Sequence, residues 1–438
     1  MAAFVVKGGE PLHGAVRLGG AKNASFKLMI AAMLAESESR LLNLSHIGDV
    51  AITEMTLKEL GIDVKHCGER TLFIRPQKLS STTVPQFNGE KSRASTLLAA
   101  VLLANEGSAT IPLPGGCVLG ARPIDRHLEA FKAMGVRLEY QEKNIVLTCD
   151  RLKGCNYRFS KKTHTGTEAL LLAASKAEGQ TVIENAGQEP EIDDLITFLN
   201  KMGGQIKRET GDRIIVNGVK HLNGAIHRVM PDRNEAVSYA VAALATKGDI
   251  VVENARQDHL TAFLQKLEEA GAKFAIGDYG IRFWYEKELR PTSIKTAPEP
   301  GFMTDWQPLW TLLMTQAKGR CEVIEAVHNN RLQFTSQLNI MGANIKLYSP
   351  EVNDPESFYE FDNSVSDTNF HAAAISGPTP LKATTLEIPD LRAGATLTIA
   401  ALIADGESRL TGIEHIERGY EDLDVRLRQL GANIVKTS

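Results

Sequence analysis

HLTAFLQKLEEAGAKFAIGDYGIRFWY, residues 259–285, contains the reading that decides the fold. Its first half places apolar residues at helical spacing and stops at Gly271, a residue suited to the left-handed conformation that follows a helix. Its second half, KFAIGDYGIRFWY, reads as two strands joined by a tight polar turn. The same junction, an apolar residue followed by Gly, recurs as LGI at Leu60, MGV at Met134, MGG at Met202, MGA at Met341 and LGA at Leu430. With Gly271 the anchor glycines stand at 61, 135, 203, 271, 342 and 431, so the spacings are 74, 68, 68, 71 and 89.

A second anchor precedes each glycine, where an Ala-rich helical run breaks in AESES, ANEGS, KAEGQ, TKGDI, AKGRC and ADGES. From Ser37, Gly107, Gly179, Gly248, Gly319 and Gly406 to the following anchor is 24, 28, 24, 23, 23 and 25 residues. Two registers that agree over six copies define an internal repeat. Each copy reads as a helix with apolar residues at i, i+3 and i+4 (Phe26, Met29, Ile30 and Met33 in the first), a strand such as IVVEN and a second amphipathic helix. Two hairpin strands follow, then a short strand such as LNGAIHRV that leads into the next helix. The unit is βαβαββ in one of its cyclic phases. The last copy stops at NIVKTS, and FVVKGGEPLHGAVRLGG at the start carries the missing strand pattern, so the N-terminal segment is expected to complete the sixth unit. Three units plus three gives two domains, residues 22–230 and residues 1–21 plus 231–438. A solenoid with nearest-neighbour contacts is the competing architecture, with shorter units and no exchange of termini.

Composition narrows the function classes. Lys and Arg total 49 against 53 Asp and Glu, for a net charge of -4, so bulk charge predicts neither a nucleic-acid nor a membrane partner. No stretch reaches 18 apolar residues and no secretory leader pattern opens the chain, which predicts a soluble, cytoplasmic protein. Five cysteines without C-x-x-C spacing indicate neither a disulfide framework nor zinc, and the 11 histidines show no ligand spacing. There is no GxxxxGK[ST], GxGxxG, HExxH or GxSxG motif, so no cofactor and no metal is predicted.

Polar residues concentrate where helices open. First helices open at Lys22 and Asn23, Arg93, Lys162 and His164, Asp232 and Arg233, Asp305, and Asp390 and Arg392. Second helices open at Asp49, at Arg122, Asp125 and Arg126, at Glu191, at Arg331 and at Arg418. Lys and Arg run against the dipole preference at a helix start. Gathered on one face of each domain, such cations beside free N–H groups make a site for phosphate or carboxylate; a solvated surface charge is the alternative for any one of them. The long second spacing falls in IPLPGGCVLGARP, a Gly- and Pro-rich insertion with Cys117 five residues before Arg122. Gly N–H groups and an arginine lower a thiol's pKa, whereas a small cysteine in a turn is the inert reading. Cys67, Cys149, Cys155 and Cys321 lie in or beside strand patterns and read as structural.

GGAKNAS, SRAS, PGGCVLGARPIDRHL, ENAGQEPEIDD, the TD of FMTDWQ, NNR, DLRAGA and HIERGYEDL together resemble the enolpyruvyl transferase family over Phe4 to Lys436. The resemblance implies two inverse α/β-barrel-like domains, each of three βαβαββ units, closing over a cleft. It implies transfer of the enolpyruvyl group of phosphoenolpyruvate to the 3′-hydroxyl of UDP-N-acetylglucosamine with release of phosphate, in peptidoglycan synthesis. In those terms Cys117 is the general acid and Asp305 the base. Lys22, Arg122 and Arg418 clamp phosphoenolpyruvate with Asp390 and Arg392 close by. Asn23, Arg93, Arg122, Pro123, Ile124, Asp125, Arg126, Lys162, Thr163, His164, Thr165, Asp305, Val327 and Arg331 hold the substrates, and the PGGC loop is the lid. His164 and Thr165 stand where the family usually has Ser and Val near the diphosphate. Transfer to another nucleotide or sugar acceptor, or UDP-sugar binding without catalysis, are the alternatives; no oligomer is predicted. Between Met341 and Asp390 the chain runs about 20 residues longer than its other repeats, and the surplus at about 348–380 is expected to form an elaborated hairpin or surface loop.

Overall fold

The computed structural model describes residues 2–85, 94–113, 124–361 and 370–437. Contacts divide the chain into two units, Gly20–Met230 and Met1–Gly19 with Pro231–Ser438. The third repeat shows the pattern. A short strand, Asn156–Arg158, precedes the helix His164–Ala174 and the strand Gln180–Glu184. The helix Pro190–Lys201 and the hairpin Gln205–Thr210 and Arg213–Asn217 follow. In the sheet, the short strand runs parallel to 180–184, which pairs antiparallel with 213–217, and 205–210 forms the far edge. Four other sheets repeat that order of one parallel and two antiparallel pairings; the remaining one has three strands among the described residues, with Thr83 bridging Thr110 in parallel at the fourth position.

The repeat is written into the backbone by residues that tolerate positive φ. All six anchor glycines are left-handed, from 77° at Gly271 to 107° at Gly342, which lets the chain turn from the second helix into the hairpin. A second such position follows the first long strand, occupied by Asn43, Asn185, Asn254 and Gly412, residue types that accept this conformation at low cost.

The N-terminal segment is divided between two repeats, which corrects the expectation that it completes the sixth alone. Strand Ala3–Lys7 does so, lying between Glu407–Thr411 and Asn433–Thr437. Strand His13–Arg17 instead runs parallel to Asp249–Glu253 in the fourth repeat. Ile226–Arg228 likewise joins Arg40–Leu42 in the first repeat, not the sheet of the helix it leads into. Each unit is thereby a closed cycle, because the parallel strand of its first repeat comes after its third. A linear solenoid cannot pair strands this way.

The first helices also differ from expectation. Helix Lys22–Ala31 is buried along all of Ala24–Ala31, Arg233–Ala245 is buried throughout, and Leu391–Ile403 is buried from Arg392 to Leu402. They are core on every side, not amphipathic, because Ala, Gly, Ser and Thr let neighbours approach closely. Several of their buried hydroxyls bond back to the helix: Ser238 to the Asn234 carbonyl, Thr396 to that of Arg392 and Thr398 to that of Gly394. The second helices carry the amphipathic pattern; Pro190–Lys201 buries Ile192, Leu195, Ile196, Phe198 and Leu199 on one side. The extra segment of the fifth repeat lies between hairpin strands Asn344–Tyr348 and Ala372–Gly377. It includes the short helix Pro355–Phe358, and Tyr359, Phe361 and His371 pack together with ring centroids 4.9–5.1 Å apart.

Phe4, 1% exposed in the central strand of the last sheet, ties the start of the chain to its end. Phe4→Ala is expected to destabilise the unit containing it by about 3–5 kcal/mol. Tyr279→Ala, at an 84% exposed hairpin tip, should stay within roughly 0.5 kcal/mol of the parent, both read by urea unfolding.

Candidate functional site

In unit Gly20–Met230, Lys22 is the first residue of its helix, and its ammonium lies 2.8 Å from Asp49 in the first turn of helix Gly48–Glu59. Asn23 follows, half-buried. Thr163 caps helix His164–Ala174 by accepting from the Gly166 amide at 3.2 Å, and Lys162 lies 3.6 Å from Asp212. Thr165 Oγ1 is 3.0 Å from His127 Nε2. Ile124 is buried at the N-cap of helix Asp125–Ala133, whose opening residues are Asp125 and Arg126. Arg93, Cys117, Arg122 and Pro123 lie outside the described residues.

A further cluster occupies the same unit. Lys27 Nζ is 2.6 Å and 2.8 Å from the two carboxylate oxygens of Glu168 and 2.9 Å from His164 Nε2. His164 Nε2 is 3.1 Å from Glu168 Oε1, and its Nδ1 is 4.0 Å from Glu189 Oε1. Sequence reading missed Lys27, Glu168 and Glu189. The signal was a charged residue inside an Ala- and Leu-rich helix, in KNASFKLMIA and HTGTEALLLAA.

In unit Met1–Gly19 with Pro231–Ser438, the first-helix starts converge on Asp305. Asp305 sits in the 3-10 turn Thr304–Trp306 that opens helix Gln307–Thr315. Its Oδ1 accepts from Arg331 Nη2 at 2.8 Å and its Oδ2 from Arg392 Nη2 at 2.9 Å. Both arginine side chains are about nine-tenths buried, and Asp305 is 21% exposed. Asp390 caps the helix bearing Arg392, accepting from the amides of Arg392 and Ala393. Arg392 Nη1 also donates to the Tyr420 hydroxyl at 3.3 Å, which lies 2.7 Å from Ser238 Oγ. Trp306 Nε1 donates to Asn234 Oδ1 at 2.9 Å, joining a third helix start to the group.

Two placements depart from the sequence reading. Arg331 stands before helix Thr335–Ile340, directly after left-handed Asn330, and not at the helix start. Arg418 follows the short helix Glu414–Glu417, because left-handed Asp422 delays the second helix to Leu423–Gln429. The cations at helix starts are also not bare. Asp49, Asp212 and Asp305 lie beside them, which offsets the unfavourable pairing of a cation with a positive helix end.

Around this core sit carboxylates that sequence reading missed. Glu325, fully buried, accepts from the Thr296 hydroxyl at 2.8 Å, the Thr304 hydroxyl at 2.9 Å and the amides of Val327 and His328 at 2.9 Å. One side chain thus fixes the loop at Val327 and the turn before Asp305. Burial pushes its carboxyl above the usual range despite the pull of Arg331 and the hydrogen bonds. Arg426 is held between Glu235 at 2.8 Å and Glu421 at 2.6 Å. Burial pushes Glu235 up to about 7, against the opposing pull of Arg426. Among the other cysteines, burial raises the thiols of Cys149 and Cys155 and pushes Cys321 up to about 11, in keeping with structural roles. Among the described residues no cluster of His, Cys, Asp and Glu could hold a metal, and no helix is long and apolar enough to cross a membrane.

The sequence pattern of EPSP synthase (3-phosphoshikimate 1-carboxyvinyltransferase) matches residues 6–427. The chain belongs to the EPSP synthase family. As a member of it, the chain is 39% identical over its whole length to the full UDP-N-acetylglucosamine 1-carboxyvinyltransferase of Halothermothrix orenii. It is 37% identical to UDP-N-acetylglucosamine 1-carboxyvinyltransferase 1 of Staphylococcus aureus, over 99% of each chain. Among solved structures, the enolpyruvyl transferase NikO from Streptomyces tendae superposes with a TM-score of 0.85 at 23% identity, over 100% of this chain and 99% of that one. EPSP synthase from Acinetobacter baumannii superposes with a TM-score of 0.76 at 19% identity, over all of both chains. At these identities the two structures establish the fold: the EPSP synthase architecture of α/β repeats.

A carboxyl that titrates near 7 in the folded state, against 4.5 ordinarily, binds its proton more tightly when folded. Its contribution to stability is therefore present below about pH 4.5 and lost as pH rises through 7. Urea unfolding at pH 5 and pH 7.5 is expected to show a smaller loss of stability in Glu235→Gln than in the parent protein.

Proposed function

We propose that the protein transfers the enolpyruvyl group of phosphoenolpyruvate to the 3′-hydroxyl of UDP-N-acetylglucosamine, as in peptidoglycan synthesis. The observation that carries this is full-length identity of 37–39% to relatives bearing that activity's name. The clasp of Asp305 between Arg331 and Arg392 supports it, a carboxylate beside two cations being suited to a base next to an anion. A proton adds to C3 of the enol while the 3′-oxygen bonds to C2, forming a tetrahedral intermediate. Loss of a proton from C3 and cleavage of the C2–O bond to phosphorus then release inorganic phosphate.

Cys117 delivers the first proton in this reading, and Asp305 accepts the proton of the 3′-hydroxyl. Lys22, Arg122 and Arg418 take the phosphate and carboxylate of phosphoenolpyruvate, with Arg392 and Asp390 beside them. Asn23, Arg93, the segment 122–126, the segment 162–165 and Val327 hold the nucleotide sugar. An incoming anion competes with Asp49 for Lys22 and with Asp305 for Arg331 and Arg392. Each exchange swaps one ion pair for another, which avoids leaving a buried charge unpaired, and a carboxylate relieved of a guanidinium is a better base.

Phosphate release from phosphoenolpyruvate is the test, with UDP-N-acetylglucosamine, shikimate 3-phosphate and UMP compared as acceptors. Turnover with the UDP-sugar is expected; turnover only with another acceptor overturns the proposal. Cys117→Ser should lower kcat by about 10²–10⁴-fold while UDP-sugar affinity changes little, and Asp305→Asn should lower kcat by a similar factor. An epoxide phosphonate such as fosfomycin is expected to add covalently to Cys117, and an unchanged intact mass after incubation would refute a reactive thiol there.

A further inference from the structure

The buried group around His164 points to control of substrate binding by a proton. Lys27 and Glu168 are 3% and 0% exposed, whereas the His164 side chain keeps 20% exposure at the head of its helix. One ring nitrogen, Nε2, lies within hydrogen-bond distance of both a donor, Lys27 Nζ, and an acceptor, Glu168 Oε1. As an imidazolium, His164 donates from Nε2 to Glu168; as a neutral ring protonated at Nδ1, it accepts from Lys27. Its other nitrogen faces Glu189, whose Oε2 is buried without a hydrogen-bond partner. Lys27, Glu168 and Glu189 together carry one net negative charge, so a protonated imidazole brings the group to zero and a neutral one leaves it at minus one.

The surrounding elements carry further charges: Glu191 is buried on helix Pro190–Lys201, Asp125, Arg126, Glu129 and Lys132 lie on helix Asp125–Ala133, and several others are paired among themselves. On helix Pro190–Lys201, Asp193 pairs with Arg208 and Asp194 with His227. On the adjacent strands, Glu184 and Arg213 pair with each other, with Arg158 and with Glu209. Helix Ala94–Glu106 has no charged residue before Glu106, helix Asp125–Ala133 sends His127 to Thr165, and Lys162 faces Asp212.

We propose that His164 is a proton switch behind the segment that takes the diphosphate of the nucleotide sugar, acting through its charge, and that Lys27, Glu168 and Glu189 are positioning residues that set that charge. This rests on the reading that segment 162–165 holds the nucleotide. With the imidazole protonated, the positive start of helix His164–Ala174 and Lys162 meet the anion without an opposing net charge behind them. Loss of the proton puts a buried negative charge behind the binding segment. Burial disfavours the imidazolium, but the carboxylates of Glu168 and Glu189 outweigh both burial and the Lys27 ammonium, so His164 titrates above the ordinary histidine range. Affinity is thus highest below that titration and falls as pH rises through it.

Calorimetric binding of UDP-N-acetylglucosamine to the full chain between pH 6 and 9 tests this, because the ligand's diphosphate diester does not change charge over that range. Affinity is expected to fall on the order of tenfold. Uridine, which lacks the diphosphate, should show no such slope. His164→Ser should remove the slope, and Glu168→Gln should move its midpoint to lower pH. The double variant Lys27→Met with Glu168→Leu removes the buried pair together, so a folding defect from one stranded charge does not decide the outcome. Titration of the ring followed by NMR of 15N-histidine-labelled protein, assigned with His164→Ser, gives the midpoint directly. A slope that survives in His164→Ser, an equal slope with uridine, or an NMR midpoint outside the affinity transition overturns the proposal. UDP-sugar binding with a flat pH profile overturns it and leaves the proposed reaction standing, whereas no UDP-sugar binding at any pH overturns both.

Discussion

Apolar helices can pack against one another inside a unit only if the polar groups they carry sit at their ends or find partners within the core. Helix Arg233–Ala245, buried on every side, shows how strict this constraint is. Four free N–H groups at each helix start, and every charge the chemistry requires, must then share one region of low dielectric. Asp305 answers that demand in one unit by joining Arg331 and Arg392. Asp232 and Asp390 cap two of the helices, and Asn234 receives the indole of Trp306 from the third. In the other unit Lys22 with Asp49, and Lys27 with Glu168 and His164, play the corresponding parts.

The same constraint explains how buried arginines are accommodated beside the helix starts. A guanidinium in a buried site costs several kcal/mol unless paired. Asp305, close at hand, holds Arg331 and Arg392 in place. Glu325 extends the logic to the backbone, since four donors converge on one carboxylate and fix Thr304 and Val327 relative to each other.

Closure of each unit depends on the strand that stands just before the chain leaves it, at residues 19–20 and 230–231. His13–Arg17 and Ile226–Arg228 each pair in the first-repeat sheet of their own unit before the chain passes to the other. Each supplies the parallel edge strand that the first repeat of its unit would otherwise lack.

The sequence alone determined the repeat, because its signals are local: left-handed glycines at fixed spacing, hairpin turns and helical periodicity act over a few residues. It also marked Lys22, Asp305, Arg331 and Arg392 as polar residues at or near apolar helix starts. What only tertiary structure decided is which charges meet. Lys27 and Glu168 are 141 positions apart, and Asp305 and Arg392 are 87 apart. No local pattern encodes those pairings; they follow from packing helices of different repeats side by side. The all-round burial of the first helices was equally illegible, because alanine fits an exposed face and a crowded core alike. The sheet assignments of His13–Arg17 and Ile226–Arg228 also came only from the fold, since a parallel strand's partner is set by the closure of the whole unit and not by its neighbours in sequence.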